Sequence, residues 1–223
     1  MTSNKEISMK PILFSTPMVK ALLNTKPGAW PAEPIDPSRP CKSQTRRVVK
    51  PQPEYNFLHK EPIDGEWFWT EKDTDDDMMG WWPSYDKGML PRYQVGDKLW
   101  VRETWLRPNV TARQILTGLL PIQYKADFTE NELAKIAEVY KWCSPSQMPR
   151  KAARLFLEVR EVRVERLQDI TEADAIAEGV LPFNNTALRA KGYFEDLWNS
   201  INGKDAWENN PWVWVYEFMR VEG

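Results

Sequence analysis

Apolar positions change their spacing several times along this chain, and each change predicts an element. Residues 10–23 read KPILFSTPMVKALL, an apolar run followed by Ser15, Thr16 and Pro17. A hydroxyl can cap free helical amides, and the missing N–H of proline costs nothing in a first turn, so a short strand followed by a helix is predicted. Pro27, Pro31, Pro34, Pro37 and Pro40 then exclude regular structure and predict an exposed loop. In 93–105, YQVGDKLWVRETW, a turn at Gly96 and Asp97 leads into a strand where Leu99 and Val101 alternate with Trp100 and Arg102. Residues 129–142 carry Leu133, Ile136, Ala137 and Tyr140 at helical spacing and predict an amphipathic helix.

The clearest strand is 154–167, RLFLEVREVRVERL. Leu155, Leu157 and Val159 share one parity, whereas Val162 and Val164 share the other. Strand side chains alternate faces, so this slip predicts a bulge near Arg160 and Glu161. A bend of that kind suits a small closed or strongly curved sheet. In the next segment Thr171 and Asp174 have the spacing of a capping box, and Gly179 stands where a short helix would end. A further helix is predicted over 186–201. A last strand lies in PWVWVYEFMRV, with Val213, Val215 and Glu217 opposing Trp212, Trp214, Tyr216 and Phe218. EWFWTE, 66–71, is a candidate strand, and the acidic run at 73–77 reads as a solvated turn. Strands at the beginning, middle and end with helices between them predict an α+β fold rather than a doubly wound sheet.

Composition narrows the function. A chain of 223 residues can bury a substantial core as one domain, 1–223. With 30 basic and 32 acidic residues, it is not built to hold nucleic acid mainly by neutralising many phosphates, so any such contact must be local. Cys41, Cys143 and the single histidine, His59, are too few for a disulfide framework or a zinc site, and neither metal nor cofactor is expected. No stretch has the length of a signal peptide or of a bilayer span, which predicts a cytoplasmic protein with no membrane contact. Twelve tryptophans predict extensive aromatic packing, with one or two available to stack on a base.

Two places carry candidate chemistry. CKSQTRRVVK, 41–50, sets Lys42, Ser43 and Thr45 beside Arg46 and Arg47 at a strand entry. A lysine near a hydroxyl can act as its base once burial lowers the lysine pKa, although the same pattern also describes a solvated lysine beside a strand-capping threonine. Alternation puts Arg46 and Arg47 on opposite faces, so at most one is expected to face a given pocket. Glu178 is the second place. It falls in the last turn of a short helix, where the dipole disfavours a carboxylate by about 0.3–1 kcal/mol; a nearby lysine or arginine would offset this and hold the acid ready for proton transfer, and an exposed glutamate would simply tolerate it. Arg102 and Glu103 read as an internal ion pair. MPRKAAR, 148–154, reads as a phosphate contact or a solvated loop.

Together these pieces resemble the ASCH family, small RNA-binding-type β-barrels related to the PUA fold, and especially its members encoded by bacteriophages and prophages. The resemblance is carried by Pro40-Cys41-Lys42-Ser43-Gln44-Thr45-Arg46-Arg47, by the Gly96-Asp97 turn, by 167–179, and by KPILFSTPMVKALL, WVRETW and NPWVWVYEF. It departs from the family signature where Pro40 and Cys41 replace a Gly-Arg pair and Ser43 replaces a threonine. The resemblance implies a PUA-like small β-barrel with flanking helices and insertions at 24–41, 52–92 and 106–149. In the family's bacterial N4-acetylcytidine amidohydrolases a lysine, a threonine three residues later and a glutamate after the long strand do the chemistry. Those roles would fall on Lys42, Thr45 and Glu178, with Ser43, Arg46 and Arg47 binding substrate. The ligand implied is a nucleoside or RNA. A non-catalytic RNA-binding module and a phage accessory or assembly protein, its aromatic insertions meeting a protein partner, are the competing readings.

Overall fold

The computed structural model describes residues 9–53, 57–60, 67–70, 90–106, 122–180 and 189–222. The acidic run at 73–77 and much of the expected insertions at 52–92 and 106–149 lie outside them. In chain order the elements are β1 (Lys10–Leu13), α1 (Thr16–Leu23), β2 (Gln44–Val48), β3 (Phe57–Lys60), β4 (Trp67–Thr70), β5 (Lys98–Arg102), β6 (Trp105–Leu106), β7 (Gln123–Tyr124), α2 (Glu130–Val139), β8 (Phe156–Arg166), α3 (Glu172–Ala177), α4 (Ala190–Asn202) and β9 (Trp212–Val221). The fold is α+β. No described helix is long and apolar enough to cross a membrane.

One sheet of five strands, in the order β1-β5-β8-β9-β2, organises the molecule. β1 runs parallel to β5 and every other neighbouring pair is antiparallel. β3 pairs with β4, and β6 with β7, as separate two-stranded sheets. Among the described residues β1 and β2 remain the two ends of the five-stranded sheet and do not pair with each other, so the strands do not close into a ring. The two ends nevertheless approach: Arg47 of β2 donates from Nη2 to the Leu13 carbonyl of β1 at 2.7 Å. Curvature comes partly from β8, whose register with β9 shifts between Val159 and Glu161, at the parity slip read from the sequence.

Alternation along β9 sorts the core into two layers. Trp214, Tyr216 and Phe218 pack with Phe14, Met18, Val19 and Leu22 around α1, while Val213 and Val215 pack with Ala175, Phe194 and Trp198 of α3 and α4. Burying each of these large apolar side chains contributes about 1.5–3 kcal/mol. Trp100 is also buried, against the expectation of one dominant face for β5; the Arg102 guanidinium covers its ring at 4.7 Å.

Local signals fix the helices that flank the site. The Thr171 hydroxyl accepts from the Asp174 N–H at 3.0 Å while the Asp174 carboxylate accepts from the Thr171 N–H at 3.2 Å, closing the predicted capping box. Thr129 and Glu132 form the same device on α2. In the proline-rich loop Asn24 serves as a clamp, donating from Nδ2 to the Asp36 and Arg39 carbonyls at 2.9 and 3.0 Å and accepting from the Asp36 N–H at 2.8 Å. The loop is thereby held against the end of α1 and delivers the chain to residue 42.

Candidate active site

Lys42 is only 1% exposed although it carries an ammonium group. Its backbone N–H donates to the Thr25 hydroxyl at 3.0 Å, and that hydroxyl donates to the Ala21 carbonyl at 3.0 Å, so the end of α1 fixes where the side chain starts. The Ser43 N–H donates to the Ala177 carbonyl at 2.9 Å, tying β2 to the end of α3. With both ends held, the Lys42 ammonium reaches Glu178. Nζ donates to the Glu178 carboxylate at 2.9 Å and to its backbone carbonyl at 2.6 Å. Of the two readings of Glu178 the paired one holds: the acid is buried, and this lysine satisfies the helix end and the side chain together.

Arg46 holds the other side of the carboxylate. Its Nη1 donates to Glu178 at 3.1 Å, and its Nε and Nη2 donate to Glu165 Oε1 at 3.0 and 2.6 Å. Asp174 lies 3.7 Å from Nη2, and the Phe194 ring faces the guanidinium at 5.8 Å. Arg46 is thus a fully buried group occupied by carboxylates, which orients Glu178 and has little left to offer a ligand. Thr45, which is 4% exposed, pairs in register with Tyr216.

These groups line a cleft of about 500 Å³. Lys42, Thr45, Arg46, Arg47 and Glu178 contribute to its wall, with Phe14, Met18, Phe194 and Trp198 supplying apolar surface. Both arginines face it, which corrects the expectation from alternation that only one could. Among the described residues β2 is an end strand, and Thr45, Arg46, Arg47 and Val48, from both of its faces, line the same space. Ser43 does not line the cleft. Its N–H is bonded to Ala177 and its carbonyl accepts from the Phe218 N–H at 2.8 Å, so it acts here through the backbone.

Burial pushes the Lys42 pKa below the ordinary lysine value of 10.5; Glu178 opposes this, and Arg47 and Arg46 add to it. The ammonium also stands 5.5 Å from the centre of the Phe14 ring, as does the Arg47 guanidinium. Deeper in the same layer, burial raises the Tyr216 phenol to about 12, which keeps it neutral at ordinary pH. Among the described residues no group of three or more His, Cys, Asp or Glu side chains is arranged to hold a metal ion.

Gly179 explains how Lys42 can pass so close to the helix end. Its φ is +89°, the left-handed region that favours glycine, and a Cβ there would lie 3.0 Å from Ala21 Cβ and 3.3 Å from Lys42 Cβ. Gly179→Ala is expected to cost about 1–3 kcal/mol, from backbone strain and crowding together. Chemical denaturation checks this; an unchanged midpoint would show that α1 and Lys42 yield freely at this contact.

The other sequence candidates lie elsewhere. Glu103 is buried and pairs with Arg154 at 2.9 and 3.0 Å rather than with its neighbour Arg102, so the expected internal ion pair has a different partner. Arg154 also meets Asp127 and stacks on Tyr124 at 3.9 Å. Within 148–154, Met148 and Ala152 are buried, leaving Arg150 and Lys151 exposed. Phe14, Phe194 and Trp198 were not read as site residues from the sequence, because their apolar spacing is that of any core-facing position. No family model, curated protein or solved structure matches the chain.

Proposed function

We propose that this chain is an ASCH-type amidohydrolase on a PUA-like scaffold, acting on an N-acylated pyrimidine nucleoside such as N4-acetylcytidine. One observation carries the reading: a fully buried lysine paired with a carboxylate on the wall of an open cleft that Thr45 also lines. A buried ion pair alone is poor evidence of stabilisation, since desolvation offsets much of the attraction. An amine whose pKa is lowered, next to an acid that can receive its proton, is what acyl transfer requires.

In the proposed reaction neutral Lys42 takes the proton of the Thr45 hydroxyl, or of a water beside it, and the oxygen attacks the acyl carbon. The carbonyl electron pair moves onto oxygen, where Arg47 supplies N–H donors. The proton passes from Lys42 to Glu178 and then to the exocyclic amine as the C–N bond breaks. Where Thr45 is the nucleophile, water cleaves the resulting ester with the same base. One amide and one water become one acid and one amine. Arg46 keeps the Glu178 carboxylate turned toward Lys42 throughout.

A panel of acylated cytidines and adenosines, with release of the parent nucleoside followed by chromatography, tests this reading. Preferential release from the acylcytidines is expected, and no release from any member would overturn it. The pH dependence has a defined sign. Because burial lowers the Lys42 pKa, the neutral amine accumulates below 10.5, so kcat/KM should rise with pH and level off before that value. A rate still climbing beyond it would remove Lys42 as the base.

A further inference from the structure

A second cavity of about 310 Å³ adjoins the first, and Arg47, Val48 and Lys50 line both. Its remaining wall is Leu90, Arg92, Tyr93, Trp214 and Tyr216. Three cations therefore face this space, and among the described residues no acidic side chain lines it. Among the described residues Arg47, Lys50 and Arg92 have no carboxylate partner; Arg47 donates only to the Leu13 carbonyl, and Arg92 lies over the Tyr93 ring at 5.5 Å. Burial lowers the Arg47 pKa, Glu178 opposes that, and the nearby Arg92 guanidinium adds to it.

Three cations lining one cavity with Tyr93, Trp214 and Tyr216 make a site for a compact anion. The shared border places that anion beside whatever occupies the first cavity. We propose that Arg47, Lys50 and Arg92 bind a phosphate carried by the substrate, so that the preferred substrate is an acylated nucleoside monophosphate rather than the free nucleoside. The inference rests on the first cavity being the base and acyl site. Arg47 then has two contacts to offer across the border, one toward the acyl oxygen and one toward the phosphate. Lys50 and Arg92 are exposed and serve the phosphate alone.

Steady-state turnover of N4-acetylcytidine and of its 3′- and 5′-monophosphates tests this, together with calorimetric binding of inorganic phosphate and of cytidine monophosphate. At least one monophosphate should show a kcat/KM about tenfold or more above the nucleoside, with phosphate as a competitive inhibitor. Arg92→Ala should bring the ratio of the two kcat/KM values toward one, and Arg92→Lys should restore part of it. Equal kcat/KM values without phosphate inhibition would overturn the phosphate site while leaving the deacylation reading in place. Phosphate-dependent binding that Arg92→Ala weakens, without turnover of any compound, would uphold the site and remove the deacylation reading. Absence of any phosphate-dependent binding or rate overturns the inference.

Discussion

Lys42→Met is expected to lower cytidine release from N4-acetylcytidine by about 10²–10⁴-fold, the usual share of a general base. Methionine keeps most of the apolar stem of the lysine and removes the ammonium. The fold should survive, because Glu178 would retain Arg46 at 3.1 Å and would not be left as a buried charge without a partner. Circular dichroism and a thermal midpoint near that of the wild type check this. Loss of turnover in a folded protein assigns the chemistry to the amine. Undiminished turnover would remove it from the mechanism.

Removal of the acid should behave differently. Glu178→Leu takes the carboxylate from Lys42 and from one side of Arg46 at once. Breaking a buried pair from one side costs about 3–5 kcal/mol, because the remaining charge stays desolvated. Arg46 keeps Glu165, so the larger part of the loss falls on Lys42. The pH dependence follows from that. Glu178 raises the Lys42 pKa, so without it the folded-state value falls further below 10.5. Between that lower value and 10.5 the unfolded chain holds a proton that the folded chain has released, so the variant gains stability as pH rises through this window. Urea denaturation near neutral pH and again near pH 10 should show the deficit shrinking. The double variant Lys42→Met, Glu178→Leu should be more stable than Glu178→Leu alone, since no uncompensated lysine remains. Equal stability of the two would mean that the pair is not energetically coupled.

Much of the local structure could be read from the chain, because the signals were local. The parity slip in 154–167 marks the bulge between Val159 and Glu161, and Thr171 with Asp174 marks the start of α3. The unfavourable position of Glu178 at a helix end asked for a cation, and Lys42 and Arg46 supply it. Pairings between distant segments were not legible. Nothing in residues 10–13 announces a parallel partner at 99–102, and nothing in 44–48 announces that this strand is the end of a sheet. That second fact decides why Arg46 and Arg47 share a cleft when alternation separates them. It also decides that Ser43, spaced like a ligand-binding residue, has its backbone bonded to α3 and β9 instead. Glu103 likewise found its cation 51 positions away rather than next door.

The proposed chemistry depends on the proton carried by one amine. Labelling the lysine ε-carbons with ¹³C and following their chemical shifts against pH reads that proton directly, with the Lys42→Met spectrum identifying the signal. The Lys42 resonance should titrate below 10.5 and move lower still in Glu178→Leu. A Lys42 that titrates at or above 10.5, unaffected by loss of Glu178, would contradict the proposed role of the site.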